Sequence, residues 1–470
     1  MHANRRSCLR LYIFLLLALA SAPAFAVSSL PDSLSSKIDR IATGALKTTG
    51  VPSASIAIVR HGRLAYAKAY GNARLNPKTP ATPAMRYSIG SISKQFTVTA
   101  MLMLAQKDKL SLDDTVSRFF PDLTRAGEIT IRELLSHTSG ITDLWPQDYV
   151  MPFMHSSTTL KDILNTWGKK PLDFAPGSQW QYSNTGYVVA GAIIKKVSGK
   201  SPFDFLQKHV FKPLGMTSAY DVNLHALPAT DARGYRRYAL GPLRPAAKVG
   251  VNWVYGGGYL AMTASDLAKW DISMLDQSLL KPASYRQMQT EVRLNNGMGS
   301  GYGLGLFIRS MDGHRVLMHD GEVAGFTAEN LVFPDDGIAV VVLTNQVAVT
   351  TSSLIGRRIA DALFAAHDPA TIRALTQARE IFSGLQHGKL DRSLFTADAN
   401  SYFNAMARKD YQSSLGPLGK PADFVQRSAH ERGGMMIRHF QVTFPHVTLN
   451  VTTDTLPNGK LEQYIVSPAG

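Results

Sequence analysis

The amino-acid sequence predicts an α/β (α+β) fold in which one sheet is flanked by helices, with a helical lobe inserted and a small α+β domain appended. Three observations support this prediction. Strand-like runs occur at both ends of the region between residues 53 and 343, and helical patterns fill its middle. A second, shorter series of helix and strand patterns follows.

Five runs have strand character in the first region. Residues 53–70 predict two strands joined by a turn-like tetrapeptide at 60–63, and residues 316–319, 327–333 and 338–343 predict three more. The last of these is apolar on both faces, which suits the centre of a sheet. Because the runs come from both ends of the region, we expect them to join in one sheet.

Helical patterns lie between these runs. Residues 129–135 and 186–197 predict helices of the inserted lobe, and residues 352–366 predict a closing helix. We expect the functional cleft where the sheet meets the helical lobe.

A second domain is predicted after His367-Asp368-Pro369. Its patterns are a helix over 371–386 and alternating strands at 435–444, 447–453 and 460–466. Its size of about a hundred residues is ordinary for a domain. The predicted organisation is therefore a leader at 1–26, a large domain at 27–366 and a small α+β domain at 367–470.

The first 26 residues have the pattern of a secretory signal peptide. Arg5, Arg6 and Arg10 form the basic part, residues 12–20 the apolar part, and Ala24-Phe25-Ala26 the small-x-small cleavage site. The apolar run is shorter than the roughly 20 residues that a membrane span needs. We therefore predict cleavage after Ala26 and a periplasmic or secreted protein.

Composition excludes several functions. Cys8 is the one cysteine and lies in the predicted leader, which excludes a cysteine nucleophile and thiolate metal sites. The formal charge of +15 favours association with an anionic envelope surface. Because the basic residues are scattered, we expect no nucleic-acid partner. The histidines have no metal-ligand spacing, so no metal is predicted, and no cofactor is implied.

Ser91 and Lys94 form the most informative motif of the chain. They precede an apolar run at 96–105, which is typical of a helix buried in a core. Three residues apart on a helix, the hydroxyl and the amine share one face, as a nucleophile beside a base would. The alternative is that Ser91 caps the helix and Lys94 extends its amine to the surface. His137 is predicted to have a structural role in holding a loop near the site.

Two further motifs follow in order: Tyr182-Ser183-Asn184 and His319-Asp320-Gly321. With Ser91 and Lys94, they make the chain resemble the class C β-lactamase-like and penicillin-binding-protein-like serine hydrolases, over about residues 30–364. The resemblance implies an antiparallel sheet flanked by helices. It also implies an acyl-enzyme on a serine, formed from a small peptide, ester or β-lactam substrate.

The resemblance assigns a role to each motif residue. Ser91 is the nucleophile, Lys94 or Tyr182 takes its proton, and Asn184 binds the substrate amide. The oxyanion is expected at the backbone N–H groups of Ser91 and Glu322. The sequence does not decide between the two candidate bases.

The third motif departs from the Lys-Thr-Gly of most β-lactamases. His319 and Gly321 are expected to contact substrate, but a histidine that is mostly neutral holds a carboxylate less firmly than a lysine does. We therefore predict a DD-carboxypeptidase, D-aminopeptidase or esterase type of hydrolase. The alternatives are a β-lactamase and a penicillin-recognising sensor that acylates without turnover.

Overall fold

A computed structural model describes residues 30–365 and 368–469. The predicted signal peptide, and Cys8 within it, lie outside the described residues. The described chain divides into two compact units, one built mainly from Asp39–Gly356 and the other mainly from Arg357 onward. No helix among the described residues is both long and apolar enough to cross a membrane.

The first unit contains one large sheet and several short strands outside it. Its strands are β1 (Ser53–Arg60), β2 (Arg63–Leu75), β3 (Lys78–Pro80), β4 (Tyr87–Ser88), β5 (Tyr220–Asp221), β6 (Tyr235–Arg236), β7 (Arg244–Pro245), β8 (Leu260–Met262), β9 (Phe307–Met311), β10 (His314–Val323), β11 (Phe326–Phe333) and β12 (Ile338–Thr344). Seven of them form one sheet in the order β3-β2-β1-β12-β11-β10-β9.

The pairings in this sheet are antiparallel, so N-terminal and C-terminal parts of the unit meet in its centre. In the register of β1 and β12, Ile56 lies opposite Val342 and Ile58 opposite Val340. These side chains are fully buried because the central strands are covered on both faces. The predicted fold class, a mixed α/β architecture with strands drawn from both ends of the region, is confirmed.

Helices surround the sheet and form the inserted lobe. In chain order they are α1 (Asp32–Thr49), α2 (Ser93–Ala105), α3 (Ile131–Ser136), α4 (Leu160–Thr166), α5 (Asn184–Ser198), α6 (Pro202–Leu206), α7 (Ala264–Asp276) and α8 (Pro282–Gln289). The next helix, α9 (Thr351–Ala365), begins in this unit and continues past Gly356 into the second. Helix α2 is buried nearly all round and lies in the core of the unit. It packs against α5, so the nucleophile motif and the tyrosine motif lie on neighbouring elements.

The second unit has its own core. It contains α10 (Pro369–Gln386), α11 (Ala397–Tyr402) and α12 (Ala405–Leu415), followed by β13 (Asp423–Arg432), β14 (Met435–Thr443), β15 (Thr448–Thr455) and β16 (Leu461–Pro468). The four strands form a meander in sequence order. Phe382, Phe440 and Val451 are buried between helix and sheet.

Candidate active site

Ser91 lies at the entrance of α2, in a short 3₁₀ turn, Gly90–Ile92, that leads into the helix. The prediction placed Ser91 on the helix itself, one turn before Lys94. The tighter turn leaves Ser91 partly exposed, whereas Lys94 is completely buried. The hydroxyl therefore faces a cleft and the amine lies beneath it.

The Lys94 amine is held by three oxygen atoms. Nζ lies 3.0 Å from Ser91 Oγ, 2.8 Å from Asn184 Oδ1 and 3.2 Å from the Gly257 carbonyl. A lysine that extends to the surface has its ammonium hydrated by water, whereas this amine is buried and surrounded by protein oxygen atoms. The alternative of a lysine extended to the surface is therefore wrong. The contact between Nζ and Oγ is the geometry required for proton transfer.

Burial separates the two candidate bases. It lowers the pKa of Lys94 from its ordinary 10.5 to about 7, although the carboxylates of Asp143 and Asp320 oppose this shift. For Tyr182, burial acts in the other direction and raises the phenol pKa well above 10, against a side-chain hydrogen bond with Ser91. Near neutral pH a large fraction of Lys94 is unprotonated, while Tyr182 keeps its proton.

His137 holds the tyrosine motif in place. Its ring lies 4.2 Å from the Tyr182 ring, centroid to centroid, and its Nδ1 accepts a hydrogen bond of 3.1 Å from the Ser183 N–H. Its carbonyl accepts a second hydrogen bond from Gln181 N–H. Burial lowers the pKa of His137 well below its usual value, so the ring is neutral. These contacts fit the structural role predicted for this residue.

Asn184 begins α5, where Ser183 caps the helix by accepting a hydrogen bond from Gly186 N–H. Asp143 orients it. The Asp143 carboxylate accepts hydrogen bonds from Asn184 backbone N–H at 2.8 Å and from its Nδ2 at 3.3 Å. Because the amide NH₂ is directed at Asp143, Oδ1 is left to accept from Lys94. The sequence analysis did not identify Asp143.

We expect the Asp143→Asn variant to show its main effect in the pH profile. The negative charge of Asp143 raises the pKa of Lys94, so its removal should lower that pKa further. The limb in which activity rises with pH should then shift to lower pH. Steady-state kcat/KM between pH 5 and 9 measures this, and an unshifted limb would show that Asp143 has no electrostatic influence on Lys94.

Two glycines bring β10 against the nucleophile turn. A Cβ at Gly321 would lie 2.0 Å from the Ile89 carbonyl and 3.3 Å from Ser91 N. Gly90 has φ +51°, and a Cβ there would lie 2.7 Å from Glu322 N. The backbone amides of Ser91 and Glu322, which were predicted to bind the oxyanion, therefore lie close together. Gly321 permits this close approach of the protein's own backbone, because a side chain there would collide with Ile89.

His319 is buried and both its ring nitrogens have protein partners. Nδ1 contacts the Asp320 carbonyl and therefore carries the proton, so Nε2 accepts a 3.0 Å hydrogen bond from the Tyr302 hydroxyl. Burial lowers the pKa of His319 to about 4, against the opposing charge of Asp320. The ring lines the cleft as a neutral surface.

The cleft above Ser91 has a volume of about 1170 Å³. Tyr182, Asn184, His319 and Glu322 line it together with Ser91, whereas the predicted residues Lys94 and Gly321 do not line it. The Glu322 side chain, for which only the backbone N–H was assigned a role, also faces the cleft. Its carboxylate accepts from Ala348 N–H, and burial raises its pKa to about 7 with further increases from Asp148 and Asp320.

No cluster of acidic, histidine or cysteine side chains that could hold a metal ion occurs among residues 30–365 and 368–469. Other functional groups of the site lie on irregular segments. Asp143 lies in a loop after α3, and the short hairpin formed by β6 and β7 contributes Arg236 to another part of the wall.

Comparisons with known proteins agree with this geometry. The family model described as Beta-lactamase matches residues 38–364. Penicillin-binding protein 4* of Bacillus subtilis (strain 168) is 29% identical over 299 residues, which are 61% of this chain. The chain spans 66% of the length of that relative.

Two solved structures share the fold. The octameric penicillin-binding protein homologue from Pyrococcus abyssi has a TM-score of 0.61 at 23% identity and covers 93% of this chain and 96% of its own. D-amino acid amidase from Ochrobactrum anthropi SV3 has a TM-score of 0.63 at 24% identity and covers 72% of this chain and 100% of its own. Because the family model matches more than half of the sequence, this protein belongs to the beta-lactamase family and has the fold of its serine hydrolases.

Proposed function

We propose that this protein is an exported serine hydrolase that forms a covalent acyl-enzyme on Ser91 and cleaves peptide-like amide or ester bonds. The contact of 3.0 Å between Ser91 Oγ and a buried Lys94 whose pKa is about 7 carries the proposal. A serine hydroxyl is a poor nucleophile until a base takes its proton, and this amine can take it near neutral pH.

The steps follow from the positions of the groups. Neutral Lys94 takes the Ser91 proton as Oγ attacks the substrate carbonyl, and the N–H groups of Ser91 and Glu322 stabilise the oxyanion. Tyr182, whose phenol is protonated near neutral pH, gives its proton to the leaving group and receives in exchange the proton that Lys94 took from Ser91, so both side chains return to their starting states. Water then attacks the acyl-enzyme by the same route in reverse, and Ser91 is released.

The charges around Ser91 support an amide or ester substrate over a β-lactam. His319 occupies the place of the usual lysine, is neutral, and has both nitrogens engaged. Asp320 and Glu322 add acidic groups to the same wall. A carboxylate next to the scissile bond, as in β-lactams, would be repelled there. The fold shared with a D-amino acid amidase is consistent with this preference.

A small substrate panel tests the proposal. We expect p-nitrophenyl esters or D-amino-acid amides to be turned over with a higher kcat/KM than a chromogenic cephalosporin or D-Ala-D-Ala peptides. Faster turnover of the cephalosporin would favour a β-lactamase. A stoichiometric burst without steady-state turnover would favour a penicillin-recognising sensor, and no reaction with any member would contradict the hydrolase proposal.

Export is part of the proposal and rests on the basic, apolar and small-x-small segments at 1–26. Expression in a bacterial host should yield a mature chain that begins at Val27 in the periplasmic or secreted fraction. N-terminal sequencing of that fraction checks this, and an intact Met1 would contradict it.

A further inference from the structure

One wall of the cleft is cationic, although the wall next to Ser91 is acidic. Residues 232–265 contain no Asp or Glu, but they contain five basic residues: Arg233, Arg236, Arg237, Arg244 and Lys248. Of the residues that line the cleft in the described chain, Arg236 and Arg237 are the ones with a permanent positive charge.

Arg236 is held on a fixed element. It lies on β6, opposite Arg244 of β7 in the hairpin register. The neighbouring Tyr235 N–H donates to the carbonyls of Gly325 and Asn345, which tie the hairpin to the ends of the main sheet. The hairpin therefore presents Arg236 to the cleft from a defined position.

No acidic side chain in the described ranges forms an ion pair with Arg236. Its guanidinium carbon lies 4.8 Å from the centroid of the Tyr238 ring, also on the cleft wall, and its Nε is buried without an acceptor. Within the described residues no hydrogen bond or ion pair engages it. A partly buried guanidinium without an acceptor is unfavourable, and stacking on an aromatic ring leaves its edge free for a planar, bidentate anion.

Arg237 and Arg244 differ from Arg236 in ways that make them useful comparisons. The Arg237 Nε is likewise buried without an acceptor among the described residues, but the Arg237 guanidinium lies against Gly50, where a Cβ would be 3.0 Å from Nη2, and Gly50 does not line the cleft. Arg244 carries the same charge on the facing strand but is exposed and does not line the cleft.

On the basis of the hydrolytic function proposed above, we propose that Arg236 binds a carboxylate at the end of the substrate remote from the scissile carbonyl. Asp148, Asp320 and Glu322 repel such a group from the nucleophile side, and Arg236 attracts it on the hairpin side. The substrate class is therefore an amide or ester whose distal end is anionic.

Matched chromogenic substrates test this subsite: the p-nitrophenyl monoester of suberic acid and the analogue in which its free carboxyl is a carboxamide. The wild-type protein should favour the carboxylate in kcat/KM. Arg236→Gln should lower that preference by about tenfold or more, since it removes a charge-assisted hydrogen bond to the carboxylate. Arg244→Gln, which removes an equal charge, should leave the preference unchanged. An equal effect of both substitutions, or no preference in the wild-type protein, would overturn the subsite.

Binding measurements distinguish an error in the proposed subsite from an error in the proposed function. In a Ser91→Ala background, calorimetry with suberate monoamide and suberamide compares the anionic and neutral ends without turnover. Tighter binding of the anionic ligand, lost in Ser91→Ala/Arg236→Gln, supports the subsite even if the wild-type protein hydrolyses neither ester. Equal binding of both ligands overturns the subsite even if Ser91 proves to be the nucleophile.

Discussion

Ser91→Ala is expected to abolish covalent labelling by a fluorophosphonate and to lower kcat for any substrate by roughly 10⁴–10⁶-fold. The physical reason is that Oγ is the hydroxyl within 3.0 Å of the unprotonated amine of Lys94. Removal of one exposed oxygen leaves the fold intact, so the loss should occur without a change in melting temperature. Intact-mass spectrometry after labelling measures the effect.

Ser88 offers a matched control. It lies close in sequence and is buried, and no hydrogen-bond partner for its hydroxyl occurs in the part of the chain that the structure describes. Ser88→Ala should therefore retain full labelling at Ser91. If Ser91→Ala were labelled to the same extent as the wild-type protein, another residue would be the nucleophile and the proposed mechanism would be wrong.

Lys94→Met has the second largest expected effect and acts on both rate and stability. Loss of the base should slow acylation of Ser91 by roughly 10²–10⁴-fold. The stability effect depends on pH because the Lys94 pKa is about 7 in the folded protein and near 10.5 when the chain is unfolded. Between these values the unfolded chain binds the extra proton, so wild-type stability rises with pH in this window.

The methionine variant lacks this contribution. Relative to Lys94→Met, the wild-type protein should therefore lose stability as the pH falls from about 10.5 to about 7, by at most about 5 kcal/mol. Denaturant unfolding of both proteins at several pH values measures the difference. If the difference in unfolding free energy between the two proteins stayed constant across this range, the pKa of Lys94 would not be lowered in the folded protein.

Much of the fold could be predicted because long, apolar elements determine it. The strands at 53–60 and 338–344 pair in the sheet centre, and their apolar character is visible in the sequence. Strand β13 was not predicted because its sequence, Asp423–Arg432, lacks apolar alternation and is largely exposed. The strands β4 and β5 are two residues long and exist through pairing with β8, which no local pattern signals.

The site was predictable where chemistry requires a fixed residue type and spacing. Ser91, Lys94 and Tyr182 meet as expected from the motifs. The choice between the two bases was not predictable, because it depends on burial, which lowers the pKa of Lys94 and raises that of Tyr182. Asp143 and Arg236 were missed because each is a single charged residue outside the motifs, and only the fold brings them to the cleft.

The pH dependence of Ser91 acylation tests the central claim most directly. With an excess of a fluorophosphonate, the rate at which Ser91 Oγ displaces fluoride from phosphorus, a step that needs the same loss of the Oγ proton as acylation, should rise with pH to a plateau with an apparent pKa of about 7. Since the Glu322 carboxyl titrates in the same range, the limb should persist in Glu322→Gln and disappear in Lys94→Met. An apparent pKa near 10 would contradict activation of Ser91 by a neutral Lys94. A pH dependence of the rate that survives in Lys94→Met and vanishes in Glu322→Gln would contradict it as well.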